Sequence, residues 1–136
     1  KPGDPPMPYT RAEDMLELVR RLDSERVRIC LDTGHANIAG QNVPEMIRSY
    51  GSLLETLHLN DNYGYISPIF EDLHLFPGYG RLDWSAIFAA LHEIGYAGTY
   101  NIEPVGELDR LPPELRVLQL HTALEILRYY DRRATQ

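Results

Sequence analysis

Cysteine is nearly absent from this chain, since its 136 residues include only Cys30. A single thiol excludes an intrachain disulfide framework and indicates a reducing compartment, so we expect a cytoplasmic protein. Cys30 lies within an apolar run, which favours a buried small side chain over a reactive nucleophile.

Positive charge and long apolar runs are also scarce. The formal net charge is −7 and no polybasic segment occurs, which disfavours a nucleic-acid partner. No run is long enough for a membrane-spanning helix, so we expect no membrane partner either. The chain begins with Lys1 rather than Met, which suggests a fragment or a processed product.

Helix and strand patterns alternate along residues 1–136, which we take as one globular domain. Short apolar or β-branched runs predict strands over residues 27–31, 53–59 and 98–103. Helices are predicted over residues 11–22 and 84–94 and after Asn42. A last helix begins at Pro112 and Pro113, and its expected core stripe is Val117, Leu120, Leu124 and Leu127.

This alternation predicts an α/β fold in which three parallel strands alternate with four helices. Three strands alone would leave both outer strands with unpaired edges, which proteins normally avoid. The chain therefore looks like part of a larger barrel. Homodimerisation is another way in which the exposed strand edges could be covered.

Each predicted strand ends with a residue that can bind a metal. Alternate side chains of a strand face opposite sides of the sheet, which places Asp32, His58 and Glu103 on the less apolar faces. Barrel active sites lie at the C-terminal ends of the strands, so these three side chains would converge there. The alternative is that each is an ordinary polar residue at a strand end.

The segment from Leu57 to Trp84 contains a loop that is long enough to suggest a function. It carries Asp72 and His74, and imidazole and carboxylate are the usual ligands of Zn²⁺ and Mn²⁺. Solvated surface groups are the alternative interpretation of these two residues.

Other residues of this loop also have two interpretations. Asp61 and Asn62 fit a turn better than a role beside the site. Gly78 fits a tight turn better than a backbone site for phosphate. Trp84 either walls a substrate-binding pocket or anchors the helix that follows.

Four segments resemble the xylose isomerase-like TIM-barrel superfamily: LDTGHAN, LHLND, DLHLFPGYGRLDW and YNIEP. The resemblance covers nearly the whole chain and implies the C-terminal part of a (β/α)8 barrel whose N-terminal strands are absent. That superfamily includes sugar-phosphate isomerases and epimerases and the abasic-site (AP) endonucleases of family 2. Its fifth strand supplies a glutamate to the metal site, and here that residue would lie upstream of Lys1.

The resemblance gives the strand-end residues their roles. Asp32, His58 and Glu103 match three of the four principal metal ligands. Glu103 also matches the residue that acts as an acid and base beside the substrate carbon in isomerases. One departure concerns ketose 3-epimerases, which have a substrate-binding arginine shortly after the strand histidine, because LHLNDNYGY contains none.

The resemblance also covers three residues outside the strands. His35 matches a residue that contacts substrate in epimerases, which makes it a candidate for substrate binding and catalysis. In the endonucleases its counterpart binds an additional zinc together with a D-x-H pair, matched here by Asp72 and His74.

The function implied is a metal-dependent isomerase or epimerase for a small sugar, sugar phosphate or related hydroxycarbonyl. A divalent metal, Zn or Mn with Mg or Co as alternatives, would acidify a C–H bond beside a carbonyl. Carboxylates would then move the proton through an enediolate. Two alternatives stay open. One is an abasic-site endonuclease-like phosphodiesterase, because His35, Asp72 and His74 would allow an additional metal. The other is an inactive barrel fragment, because Glu103 alone is half of the carboxylate pair.

Overall fold

A computed structural model of the chain describes residues 9–65 and 72–135, which form three parallel strands and five helices. Single 3-10 turns lie at Gly51–Leu53 and at Leu108–Arg110. None of the described helices has the length and apolarity that a membrane span requires. The elements in chain order are α1 (Ala12–Leu22), β1 (Ile29–Asp32), α2 (Thr33–Ile38), α3 (Val43–Tyr50), β2 (Leu54–Leu59), α4 (Trp84–Glu93), β3 (Thr99–Ile102) and α5 (Pro113–Ala134).

Side-chain caps fix the starts of two predicted helices. The Asn42 side chain accepts a hydrogen bond from the backbone N–H of Glu45 at the start of α3. Asp83 accepts one from Ala86 at the start of α4. Such caps satisfy amides that have no partner within the helix, so both predicted start points are confirmed.

The strands lie in the order β1-β2-β3, and all of them are parallel. Asp32 at the end of β1 is the register partner of His58 in β2. The backbone N–H of Glu103 donates to the carbonyl of Leu59 over 3.1 Å, which continues the pairing one residue past β3. Chain direction and register therefore bring the three strand ends to one edge of the sheet.

The helices cover one face of this sheet. Apolar side chains of β1 and β2 pack there with those of α3 and α4, and the members at most 1% exposed are Ile29, Ile47, Leu57, Leu59, Ile87, Ala90 and Leu91. The opposite face is open within the described residues, and it carries Cys30. The prediction of a buried Cys30 is therefore wrong, because its strand face has no helix over it.

Two further predictions need correction. The structure has a fifth helix, α2, whose start is capped by Asp32. The sequence did not predict this helix because the short segment lacks an apolar repeat. In α5, Leu127 is buried as predicted, but Val117 is 61% exposed and Leu120 and Leu124 are also exposed. Only the C-terminal half of α5 packs on the core in the described chain, and there Ala123 is buried beside Leu127.

Candidate active site

Three side chains meet at the strand ends, and we call them the inner cluster: Asp32, His58 and Glu103. One ligand atom from each lies within 4.8 Å of the others. His58 Nδ1 is 3.1 Å from Glu103 Oε2 and 3.9 Å from Asp32 Oδ2. The structure thus brings together the three residues that strand parity predicted to converge.

A second group lies beside the first, and we call it the outer cluster: His35, Asp72 and His74. His35 comes from α2, while Asp72 and His74 come from the loop between β2 and α4. Asp72 contacts both imidazoles, with Oδ2 at 2.9 Å from His35 Nε2 and Oδ1 at 3.6 Å from His74 Nε2. The three offer ligand atoms within 4.8 Å of one another.

The two clusters form one continuous network. His35 Nδ1 lies 3.2 Å from Asp32 Oδ2, and His74 Nδ1 lies 3.5 Å from Glu103 Oε2. The rings of His35 and His74 meet edge to face with centroids 5.1 Å apart. Each imidazole of the outer cluster therefore faces a carboxylate of the inner one.

The donor set of both clusters suits a divalent cation. Together they provide three carboxylates and three imidazoles, the ligands that Zn²⁺ and Mn²⁺ accept. Glu103 Oε2 and the Nδ1 of His74, whose side chain is 10% exposed, are buried without a hydrogen-bond partner among the described residues. Buried polar atoms normally have a partner, so a cation would satisfy atoms that the protein leaves unpaired.

The electrostatic field at this edge is negative. Burial lowers the pKa of His35, but its hydrogen bond to Asp72 and the charges of Asp32, Asp72 and Glu103 outweigh burial and raise the pKa. The pKa of the Cys30 thiol is also raised, by partial burial and by the charges of Asp32 and Glu103. A raised pKa keeps Cys30 a thiol, which makes it a poor nucleophile.

Sequence reasoning missed the importance of a buried polar run after β2. Asn60, Asp61 and Asn62 are at most 1% exposed. Asn62 ties the loop to α2, since its amide donates to the carbonyl of Gly34 and accepts from the amide of Asn37. The signal in the sequence is LHLND, where polar residues directly follow a buried strand.

Asp61 is the centre of the long loop. Its Oδ1 accepts from the backbone N–H groups of Asn62 and Leu82, and its Oδ2 accepts from Gly78 N–H and from the Trp84 indole. Its backbone also pairs with Leu75 through two hydrogen bonds of 2.9 Å. Leu75 follows His74 directly, so this pairing places the loop ligand against the sheet.

These contacts decide between the two interpretations of the remaining loop residues. Trp84 is 2% exposed and its indole N–H is bound to Asp61, so the structure gives it a packing role and does not support substrate binding. The N–H of Gly78 also donates to Asp61, and its φ of 88° is that of a turn glycine. A phosphate therefore does not find that amide free.

Comparison with known proteins gives the chain its relatives. It is 37% identical to a D-psicose 3-epimerase of Enterocloster bolteae over 92 residues, 68% of this chain and 27% of that protein. It is 26% identical to an inosose isomerase of Bacillus subtilis over 102 residues, 74% of this chain and 37% of that protein. The chain thus spans about a third of the length of these relatives.

Solved structures similar to this chain include enzymes of the same kind as its sequence relatives. A D-psicose 3-epimerase with D-tagatose from Clostridium cellulolyticum H10 superposes with a TM-score of 0.73 at 27% identity, over 90% of this chain and 44% of that one. The family model of the xylose isomerase-like TIM barrel matches residues 2–125. This chain therefore belongs to the xylose isomerase-like TIM-barrel family.

Proposed function

We propose that this chain holds the metal site of a sugar epimerase or isomerase that moves a proton beside a substrate carbonyl. The observation that carries the proposal is the meeting of Asp32, His58 and Glu103 at the ends of adjacent parallel strands. The relatives named as a D-psicose 3-epimerase and an inosose isomerase support the same class of reaction. We also propose that the chain is the C-terminal part of a barrel.

The inner cluster would both hold a cation and move a proton, and Glu103 has a part in both tasks. Asp32, His58 and Glu103 would hold a divalent metal, Zn²⁺ or Mn²⁺ by their ligand chemistry. Such a metal withdraws electrons from a bound carbonyl and acidifies the adjacent C–H bond. Glu103 then takes the proton, which leaves the substrate as an enediolate, and His35, 55% exposed at the rim, contacts the substrate.

An uncharged sugar fits the site better than a sugar phosphate. The backbone amide of Gly78, which would suit a phosphate, donates to Asp61. Within the described residues no arginine forms an ion pair with either cluster. We propose a ketose as the substrate class, because a D-psicose 3-epimerase is among the relatives. The arginine that ketose 3-epimerases carry after the strand histidine is absent from LHLNDNYGY, so other residues would bind the ketose here.

The outer cluster favours a second candidate function, hydrolysis of abasic-site DNA. His35, Asp72 and His74 offer one further cation site, as that chemistry would use. The net charge of −7 opposes binding to phosphate backbones. Cleavage of an abasic-site oligonucleotide by the zinc-loaded protein, lost in His74→Ala, would support this candidate over the first.

Metal analysis tests the site itself. Purified protein is analysed for Zn and Mn beside its mass in solution, which also reports a homodimer. His58→Ala should lower the affinity of the inner cluster by at least about 100-fold, because a lost ligand exceeds the cost of a lost supporting contact. His92→Ala is the control, since His92 pairs with Asp131 outside both clusters. Equal metal binding by His58→Ala and wild type would contradict the proposed site.

Deuterium exchange tests the reaction. Metal-loaded protein is incubated with D-psicose in D2O, and the proton on C3, the stereogenic carbon next to the carbonyl, is followed by NMR. Exchange needs one base, so Glu103 suffices, whereas net epimerisation needs a second group on the other side of the carbon. We expect exchange that Glu103→Gln abolishes. No exchange, or equal exchange in the variant, would contradict the proposed reaction.

A further inference from the structure

Asn60 is a buried amide with an unusual division of contacts. Its side chain is fully buried. The Nδ2 group donates to Asp32 Oδ1 over 3.0 Å, while Oδ1 has no hydrogen-bond partner within the described residues. A buried carbonyl without a donor lowers stability, so a native protein that retains one requires an explanation.

The orientation of this amide is fixed by its neighbours. Turning it over would set Oδ1 against a carboxylate oxygen of Asp32, and two acceptors repel. Gly34 provides the space for Oδ1, since a Cβ built on that residue would lie 1.7 Å from it. Asn60 Oδ1 therefore has no partner within the described residues, while Asn60 Nδ2 keeps its hydrogen bond to Asp32.

Asp32 shows what this arrangement achieves. Its Oδ1 accepts from both Asn60 Nδ2 and the backbone N–H of His35, the latter over 2.8 Å. Its Oδ2 accepts no hydrogen bond from an amide within the described residues, and it faces the ring nitrogens of His35 and His58 at 3.2 and 3.9 Å. One carboxylate oxygen is thus held by the protein while the other points into the cluster.

We propose that Asn60 is a positioning residue that makes Asp32 a one-oxygen ligand of the cation in the inner cluster. The inference rests on the proposed metal site. Supporting contacts of this kind orient a ligand and set the geometry around the metal. Without the amide, the carboxylate is free to rotate and to offer both oxygens.

Asn60→Leu is the test, because leucine has nearly the same size but neither the donor nor the unpaired oxygen. It is examined in a His74→Ala background, so that the inner cluster alone titrates with Co²⁺. We expect affinity for Co²⁺ to fall by about 10–100-fold. The visible d–d bands should weaken as well, because a second carboxylate oxygen raises the coordination number. Melting of the metal-free protein should change little, since the lost hydrogen bond and the lost unpaired oxygen offset each other.

A purely structural role predicts the opposite pattern, a lower melting temperature with unchanged Co²⁺ affinity and spectrum, and that result overturns the proposal. Asn42→Ala is the matched control, since it removes a stabilising helix cap whose partner is Glu45 and should leave the Co²⁺ titration unchanged. If Asn60→Leu does not fold, Asn60→Ala gives the same readout. A parent protein that binds no Co²⁺ overturns the metal site as well, which separates the two failures.

Discussion

The inner and outer clusters have similar ligands but are placed by different means. The inner cluster sits at the ends of paired strands, where register fixes the position of each side chain. The outer cluster combines a six-residue helix with a loop whose shape depends on one buried carboxylate, Asp61. Backbone pairing thus secures one group, whereas side-chain hydrogen bonds secure the other, and the two should fail under different substitutions.

Asp61→Asn should show the largest difference between the outer cluster and the inner cluster. Asparagine is the same size, but its NH2 group must face at least one pair of N–H donors that the carboxylate now accepts. Leaving two buried donors unpaired should lower the free energy of unfolding by about 3 kcal/mol. Urea denaturation measures this loss. In the folded fraction, the outer cluster should lose its metal first.

The control for this prediction is the same exchange at an exposed position. Asp83→Asn keeps a good helix cap, since asparagine and aspartate cap about equally well. Its stability should therefore stay within about 0.5 kcal/mol of wild type. If Asp61→Asn is as stable as Asp83→Asn, the central role of Asp61 in the loop is wrong.

The same comparison explains what the sequence could and could not predict. Strand parity is a local rule, and together with the expectation that barrel active sites lie at the C-terminal ends of parallel strands it predicted the convergence of Asp32, His58 and Glu103. In the outer cluster, Asp72 and His74 were candidates from their residue types, but their grouping with His35 came from the resemblance, because the loop geometry depends on contacts such as Asp61 with Trp84 over 23 positions. Burial of Asn60, Asp61 and Asn62 was missed because polar residues after a strand usually mark a turn.

The two wrong predictions about burial in the fold have a similar cause. The stripe predicted for α5 assumed that the whole helix lies on a core, but Val117 lies beyond the part that packs. Cys30 was expected to be buried because its neighbours are apolar, although alternation puts it on the uncovered face. Periodicity identifies an apolar face, but it does not say what covers that face.

Gly34→Ala is expected to have the next largest effect on stability, and the added methyl group would lie against Asn60, which contacts the inner cluster. In a helix alanine normally stabilises relative to glycine, by about 0.5–1 kcal/mol. Here the new Cβ would meet Asn60 Oδ1 at 1.7 Å and Asn62 Nδ2 at 2.9 Å. We expect a net loss of about 2 kcal/mol, as for overpacked cores, together with weaker metal binding because Asn60 shifts off Asp32.

Gly40→Ala provides the comparison for that variant. Gly40 has a φ of 70° and nothing within 4 Å of an added Cβ, so alanine there strains the backbone without touching the site. Thermal melting and a Co²⁺ titration are recorded for both variants. Loss of stability in both, with weaker metal binding only in Gly34→Ala, is the expected pattern. Unchanged metal binding in Gly34→Ala would contradict the link through Asn60.

The smallest effect concerns protonation of the outer cluster in metal-free protein. The pKa of His35 is raised because Asp72 and the neighbouring carboxylates outweigh burial, so the folded state favours its charged form. The resulting stability is fully present below the unfolded pKa, 6.5, and is lost as the pH rises through the folded pKa. It should stay below about 1 kcal/mol, because His35 is half exposed and water screens the pair. Asp72→Asn removes the largest of the raising interactions and leaves burial, so a proton NMR titration with chelator present should show the His35 pKa fall. An equal pKa in both proteins would mean that Asp72 does not hold His35, and the proposed hydrogen bond within the outer cluster would be contradicted.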